Sequence, residues 1–235
     1  MGSTRFPGKV LMDLGGETVL GRVLRRLGRA SRIHEMVVAT TDTANDDEIG
    51  IECARLQVSC FRGSEHDVLD RYLRAAEKCR SDVIVRVTAD CPLIDPEIVD
   101  QVVEAFIAKH VDLACNDVPR TFPRGLDVEV FSIETLNRIH TMADQAYQRE
   151  HVTPFVYEHP DIFSSYSVRS ERNLNHVRWT IDTPEDLQLV RAIYAYFANE
   201  DDFGWRAAME FVERHPELAE INAHIAQKPV TANVF

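Results

Sequence analysis

Asp82-Val-Ile-Val-Arg-Val-Thr-Ala-Asp-Cys-Pro-Leu-Ile-Asp-Pro96 is the stretch that decides the fold class. Residues 82–88 form a β-branched run that is mainly apolar rather than alternating, as in a strand covered on both faces. Asp95 before Pro96 pairs a helix cap with a first-turn proline, and the helix so opened should run to about Lys109. Asp90 lies between the two, where a central strand gives way to its helix. In open α/β sheets that is where ligands collect.

Upstream, the same alternation repeats. Met36–Thr40 reads as a buried strand, and Asp42, Asn45, Asp46 and Asp47 turn into a helix that ends near Ala54. Val58–Phe61 reads as a second strand, followed by a helix from about Glu65 to Cys79 with Val68, Leu69, Leu73 and Ala76 as its inner face. Ahead of these, the Gly15-Gly16 turn leads to Thr18, which can cap a helix carrying the stripe Val19, Val23, Leu24 and Leu27. The order β-α-β-α-β predicts an α/β fold with a mostly parallel central sheet flanked by helices.

Downstream the pattern is less regular. Asp112–Asn116 reads as a strand and residues 117–127 as a shaped loop. Val128–Phe131 alternates, as in an edge or mixed strand. Glu134–Met142 is a helix, residues 143–158 form a polar segment with Pro154 in it, and Phe163–Val168 and His176–Ile181 are strand candidates. Thr183, Pro184 and Asp186 have the spacing of a helix start, and the chain from Trp205 is helical and peripheral. The simplest division is a single domain over 1–235 with an inserted lobe over 117–175.

Composition narrows the function. The 235 residues carry a net charge of −12, which argues against a broad nucleic-acid-binding face. No apolar run approaches the length of a membrane span. The five cysteines show no Cys-x-x-Cys spacing, so neither a disulfide framework nor a zinc site is indicated, and a cytoplasmic location fits.

Gly2-Ser3-Thr4-Arg5-Phe6-Pro7-Gly8-Lys9 can fold backbone N–H groups around an anion and adds two cations to them. The P-loop spacing fails, because Val10 follows Lys9. Asp90 reads as a turn former or as a metal ligand. Asp182, just before the Thr183 cap, is a second carboxylate at an expected strand exit. Two hard oxygen ligands suit Mg²⁺, which keeps waters and takes substrate phosphates. With the loop cations they suit attack on the α-phosphorus of a nucleoside triphosphate. No nucleophilic triad is visible, and His151 reads as a structural or interface residue rather than a base.

The loop, with Val-Leu-Met-Asp-Leu-Gly-Gly16 behind it, resembles the signature of cytidylyltransferases that activate acylneuraminate and 3-deoxy-manno-octulosonate. Phe61-Arg-Gly-Ser64, Asp67-Val-Leu-Asp-Arg-Tyr72, Val85–Asp95, Arg120-Thr-Phe-Pro-Arg-Gly-Leu-Asp-Val-Glu129 and Trp179–Asp186 resemble the spore-coat-polysaccharide type of that family. The resemblance covers residue 2 to about 225. It implies a Rossmann-like, GT-A-like nucleotidyltransferase fold and transfer of CMP from CTP, with Mg²⁺ and release of pyrophosphate. Arg5 and Lys9 would be catalytic; Gly2, Ser3, Thr4, Arg5, Lys9, Arg86 and Asp90 would bind nucleotide, and Asp90 and Asp182 the metal. Arg124, Asp127 and Glu129 would face an anionic small-molecule acceptor, an acidic sugar or a phosphonate. The product would feed polysaccharide or glycoconjugate synthesis. A homodimer is expected, with 143–158 as the interface.

One departure stands out. Relatives carry an apolar first strand before the Gly-Ser-Thr-Arg-like loop, and here only Met1 precedes it. That strand would be central to the sheet, so the natural protein is expected to begin about ten residues upstream. Rival functions are a nucleotidyltransferase of another base, a glycosyltransferase with a metal-binding carboxylate pair, and a non-catalytic nucleotide-binding protein.

Overall fold

The computed structural model describes residues 5–227. A turn from Phe6 to Lys9 leads into a single 3-10 turn, Lys9–Leu11, and then to helix α1, Val19–Leu27. Thr18 caps α1, its hydroxyl accepting from the Gly21 amide at 2.9 Å. The alternating region follows as strand β1 (Val37–Thr41), helix α2 (Asp47–Arg55), β2 (Ser59–Gly63), α3 (Val68–Cys79), β3 (Val83–Arg86) and α4 (Pro96–Lys109). Asp67 caps α3 and Asp95 caps α4, with Pro96 in the first turn as the dipeptide requires.

The later part comprises β4 (Leu113–Cys115), β5 (Glu129–Ser132), α5 (Ile133–Met142), α6 (Ala146–His151), α7 (Pro154–Glu158) and β6 (Ser165–Ser167). It is closed by α8 (Pro184–Tyr196), α9 (Trp205–Arg214) and α10 (Pro216–Glu220). The Thr183–Asp186 capping box starts α8. Pro154, Pro184 and Pro216 each sit in a first helical turn, where a missing N–H costs nothing.

Strands β3-β5-β4-β6 form one sheet and β1-β2 a parallel pair. Only β5 runs against its neighbours, so the architecture is the expected mostly parallel α/β one. Residues 128–131, legible as an edge or mixed strand, turn out to supply the middle of the sheet. His176–Ile181 is not a strand. It is held by a single bridge, Arg124 to Arg178, and by amide bonds from Trp179 to the Arg124 carbonyl and from Ile181 to the Asp90 carbonyl.

β1 and β3 line the two sides of one cleft of about 630 Å³, and among the described residues neither pairs with the other. Their side chains are correspondingly half-covered, and Val83 is 44% exposed, although helices flank the sheet. The main core unites α1, α4, α8 and α9 over the larger sheet, with Trp179, Leu126 and Val130 fully buried in it. A second cluster packs α3 against α5, α6 and α7 and contains Leu69, Phe131 and Phe155. A third joins α1, α2 and β1, and Ala89 at the exit from β3 packs against it.

Candidate active site

β3 and β4 both run antiparallel to β5, and Arg86 and Cys115, their last residues, are both registered with Glu129. The carboxyl ends of β3 and β4 therefore share one edge of the sheet. Asp90 leaves β3 at that edge. Its own carbonyl accepts from Ile181 N–H at 2.8 Å, which brings Asp182 beside it. The two carboxylates predicted from separate parts of the sequence thus meet through a backbone hydrogen bond one residue away.

Lys9 lies between them. Its Nζ donates to Asp90 Oδ2 at 2.5 Å and to Asp182 Oδ1 at 2.8 Å. Arg5 adds an ion pair to Asp182 Oδ2 at 2.8 Å. Gly8, with φ of 72°, makes the turn that aims this short segment, a conformation that costs other residues more than glycine. Gly2, Ser3 and Thr4 lie outside the described residues.

Burial alone would raise the Asp182 carboxyl. The bond and charge of Lys9, the bond from Arg178 and the charge of Arg5 outweigh it and hold the group down at about 2. Burial likewise opposes the charge on Lys9, but Asp90 and Asp182 more than offset it and push its pKa up. At neutral pH the site therefore holds an ionised Asp182 carboxylate beside a firmly protonated Lys9 ammonium.

Arg178 was missed by the sequence reading. It is buried, and its guanidinium donates to Asp182 Oδ2 at 2.6 Å and to Asp186 at 3.0 and 3.2 Å. Fully buried Asp186 also accepts from the amides of Asp182 and Thr183 and from Asn222. The carboxylate expected only to start a helix therefore also anchors the arginine that orients Asp182. Nothing in the local pattern separates such an arginine from a solvated one.

The remaining expected residues sit along the same edge. Gly125 has φ of +104°, and a Cβ there would come within 2.7 Å of the Trp179 carbonyl carbon and the Thr180 amide. Only glycine lets the 120–127 loop close on the segment that carries Asp182. Buried Asn116 holds that loop from below, donating to the Leu126 carbonyl and accepting from the Val128 amide. Asp127 pairs with Arg120. Glu129 is buried and accepts from Arg86, Thr153 and Tyr157, so Arg86 and Glu129 face each other across adjacent strands.

Arg124 differs from its neighbours. Its guanidinium makes no hydrogen bond or ion pair among the described residues, while Arg86, Arg120 and Arg178 are all paired. Burial and the like charges of Arg120 and Arg178 push its pKa down, an environment that an anion would relieve.

Another cavity, of about 310 Å³, opens at the ends of β1 and β2 and is lined by Thr41, Asn45, Asp46, Glu65 and Arg71. Arg71 donates to the Ser64 carbonyl, but its buried Nε has no partner among the described residues. In the sequence Arg71 stands inside the Asp67–Tyr72 segment, where nothing local marks a role for it.

The donor set fits magnesium. Asp90 and Asp182 converge on one cationic atom, so they can share one metal ion. Among the described residues no cluster of three or more acidic, histidine or cysteine ligands occurs. Mg²⁺ does not need one, since waters and substrate phosphates complete its shell.

Comparison with known proteins identifies the family. The family model described as cytidylyltransferase matches residues 1–225. An uncharacterized protein of Methanocaldococcus jannaschii is 36% identical over 97% of this chain and 93% of its own. The spore coat polysaccharide biosynthesis protein SpsF of Bacillus subtilis is 32% identical over 93% of each. The solved structure of a cytidylyltransferase from Leptospira borgpetersenii superposes with a TM-score of 0.90 at 36% identity, over 93% of this chain and 92% of that one. Among the described residues no helix is long and apolar enough to cross a membrane. With a match running along nearly the whole chain, this protein belongs to the cytidylyltransferase family and is a nucleotidyltransferase enzyme.

Proposed function

We propose that the enzyme transfers CMP from CTP to an oxygen of an anionic acceptor, an acidic sugar, with release of pyrophosphate and dependence on Mg²⁺. The observation that carries this reading is the convergence of Lys9 on Asp90 and Asp182 at one edge of the sheet. Arg5 and Lys9 hold the phosphates, with Gly2, Ser3 and Thr4 completing the cradle. Asp90 and Asp182 hold the metal, which when bound neutralises charge on the phosphates. Holding both substrates in line supplies a further part of the acceleration. The cavity at Thr41 and Arg71 has a size and polarity suited to the nucleoside.

In this reading Arg124 receives the anionic group of the acceptor. Arg120 and Asp127 brace the loop that carries it, and the Arg86–Glu129 pair forms the floor. The lobe over 117–175 is the acceptor side. A homodimer through 143–158 and a cytoplasmic location are part of the same proposal, as is a place in surface polysaccharide or glycoconjugate precursor synthesis, in line with the name of the Bacillus relative. The test is a coupled pyrophosphate assay with CTP, UTP, ATP and GTP, each against a panel of acidic sugars and phosphonates. Turnover with CTP, Mg²⁺ and an acidic sugar supports the reading. Preference for another nucleotide, or for a phosphonate, replaces that part of it. Sedimentation of the enzyme as a monomer would remove the dimer.

A further inference from the structure

We propose that Lys9 is a resident counter-ion of the Asp90–Asp182 pair, and that a triphosphate has to draw it off before a divalent cation can enter. The proposal rests on the reading of these carboxylates as the metal site and adds to it an order of events.

The geometry carries it. One ammonium, only 12% exposed, spans Asp90 Oδ2 and Asp182 Oδ1 at 2.5 and 2.8 Å. These are oxygens that a shared metal ion would use. The other Asp182 oxygen is also occupied, by Arg5 at 2.8 Å and Arg178 at 2.6 Å. A dication entering this arrangement would meet the Lys9 charge within a few ångströms, in a place partly closed to water.

The three cations are not equivalent. Arg178 is balanced and fixed by fully buried Asp186, which Asn222 and two backbone amides hold in turn. Arg178 therefore stays. Lys9 and Arg5 balance Asp90 and Asp182 charge for charge, and they stand at the start of a short 3-10 turn and in the segment before it. A polyphosphate can take both cations at once. That frees the carboxylates and at the same time supplies further oxygen ligands. Metal and nucleotide then enter as a unit, while without nucleotide the metal-competent fraction of the enzyme is small and the apparent metal affinity falls in proportion.

The experiment is Mn²⁺ binding followed by electron paramagnetic resonance on the full chain, with Mn²⁺ held by nucleotide alone subtracted. In the absence of nucleotide, Lys9→Met should bind Mn²⁺ about tenfold more tightly than wild type or better. Adding Asp182→Asn to Lys9→Met should abolish the gain. CTP, but not cytidine, should open the site of the wild-type enzyme. Lys9→Gln provides a second variant if Lys9→Met does not fold by circular dichroism. Binding by either folded variant no tighter than wild type overturns the proposal. So does wild-type binding that is as tight without CTP as with it. If that nucleotide-free binding is lost in Asp182→Asn, the metal site stands and only the counter-ion role fails. If instead Asp90→Asn and Asp182→Asn leave Mn²⁺ binding in the presence of CTP unchanged, the metal-site reading itself fails.

Discussion

Lys9 Nζ donates to Asp182 Oδ1 at 2.8 Å across 173 positions of sequence, closing the N-terminal loop onto the segment that enters α8. With Asp90 on the other side of the same ammonium, three groups from three parts of the chain act as one unit. Removing either carboxylate should therefore disable the unit. Asp90→Asn and Asp182→Asn are each expected to lower Mg²⁺-dependent pyrophosphate release about 100-fold or more, the scale seen when a group that stabilises developing charge is removed. Unchanged rates in both variants would sink the metal assignment.

Asp186 should matter first for stability. It is fully buried, pairs with buried Arg178 and accepts from the Asp182 and Thr183 amides. Asp186→Asn removes one of the two carboxylates paired with the buried Arg178 guanidinium and leaves it with Asp182 alone, which Lys9 and Arg5 also claim, at a cost of about 3 kcal/mol. Urea unfolding should show a lower midpoint with little change in slope. A midpoint equal to wild type would mean that Arg178 finds other compensation.

Arg124 should separate the two substrates. Because its guanidinium has no partner among the described residues, its removal breaks no structural pair. Arg124→Ala is expected to raise KM for the acceptor about tenfold or more, the loss of one charge-assisted bond, with KM for CTP little changed. The opposite split would move Arg124 to the nucleotide side.

Asp117 should give a visible pH dependence of stability. Burial, with Glu129 and Asp127 nearby, pushes its carboxyl up to about 7, against the opposing charges of Arg120 and Arg86. An unfolded aspartate titrates near about 4, so between those values the folded state holds a proton that the unfolded state has released. Stability should therefore fall as pH rises from about 4 to 7 and level off above. Asp117 Oδ1 is buried without a hydrogen-bond partner among the described residues. Asp117→Asn should accordingly be more stable than wild type at pH 8, by about 1–3 kcal/mol, and the difference should close at pH 4. Thermal melts at several pH values will check this; parallel profiles for the two proteins would exclude Asp117 as the titrating group.

Features that depend on near neighbours are legible in the chain itself. Thr18, Asp95 with Pro96, and Thr183 with Pro184 and Asp186 start helices because cap and partner lie within three residues, and the structure places all three as read. The alternation of apolar strands and helices up to Lys109 fixed the fold class for the same reason. The loop around Arg5 and Lys9 and the exits at Asp90 and Asp182 could be singled out as chemistry-bearing types at strand ends.

Features that depend on distant partners emerge only in the folded chain. Residues 128–131 alternate as an edge or a mixed strand would, and only the sheet selects the second: β5 lies between β3 and β4 and runs against both, because strand order is set by packing across the sheet and not by local pattern. Residues 176–181 have strand composition but form no strand, since their hydrogen bonds go to the Arg124 turn and to the Asp90 carbonyl. Arg178 looks in sequence like any solvated arginine, and only the folded chain surrounds it with Asp182, Asp186 and Asn222. A charge declares its role by what it faces. In this enzyme the groups that Lys9 faces are 81 and 173 residues away.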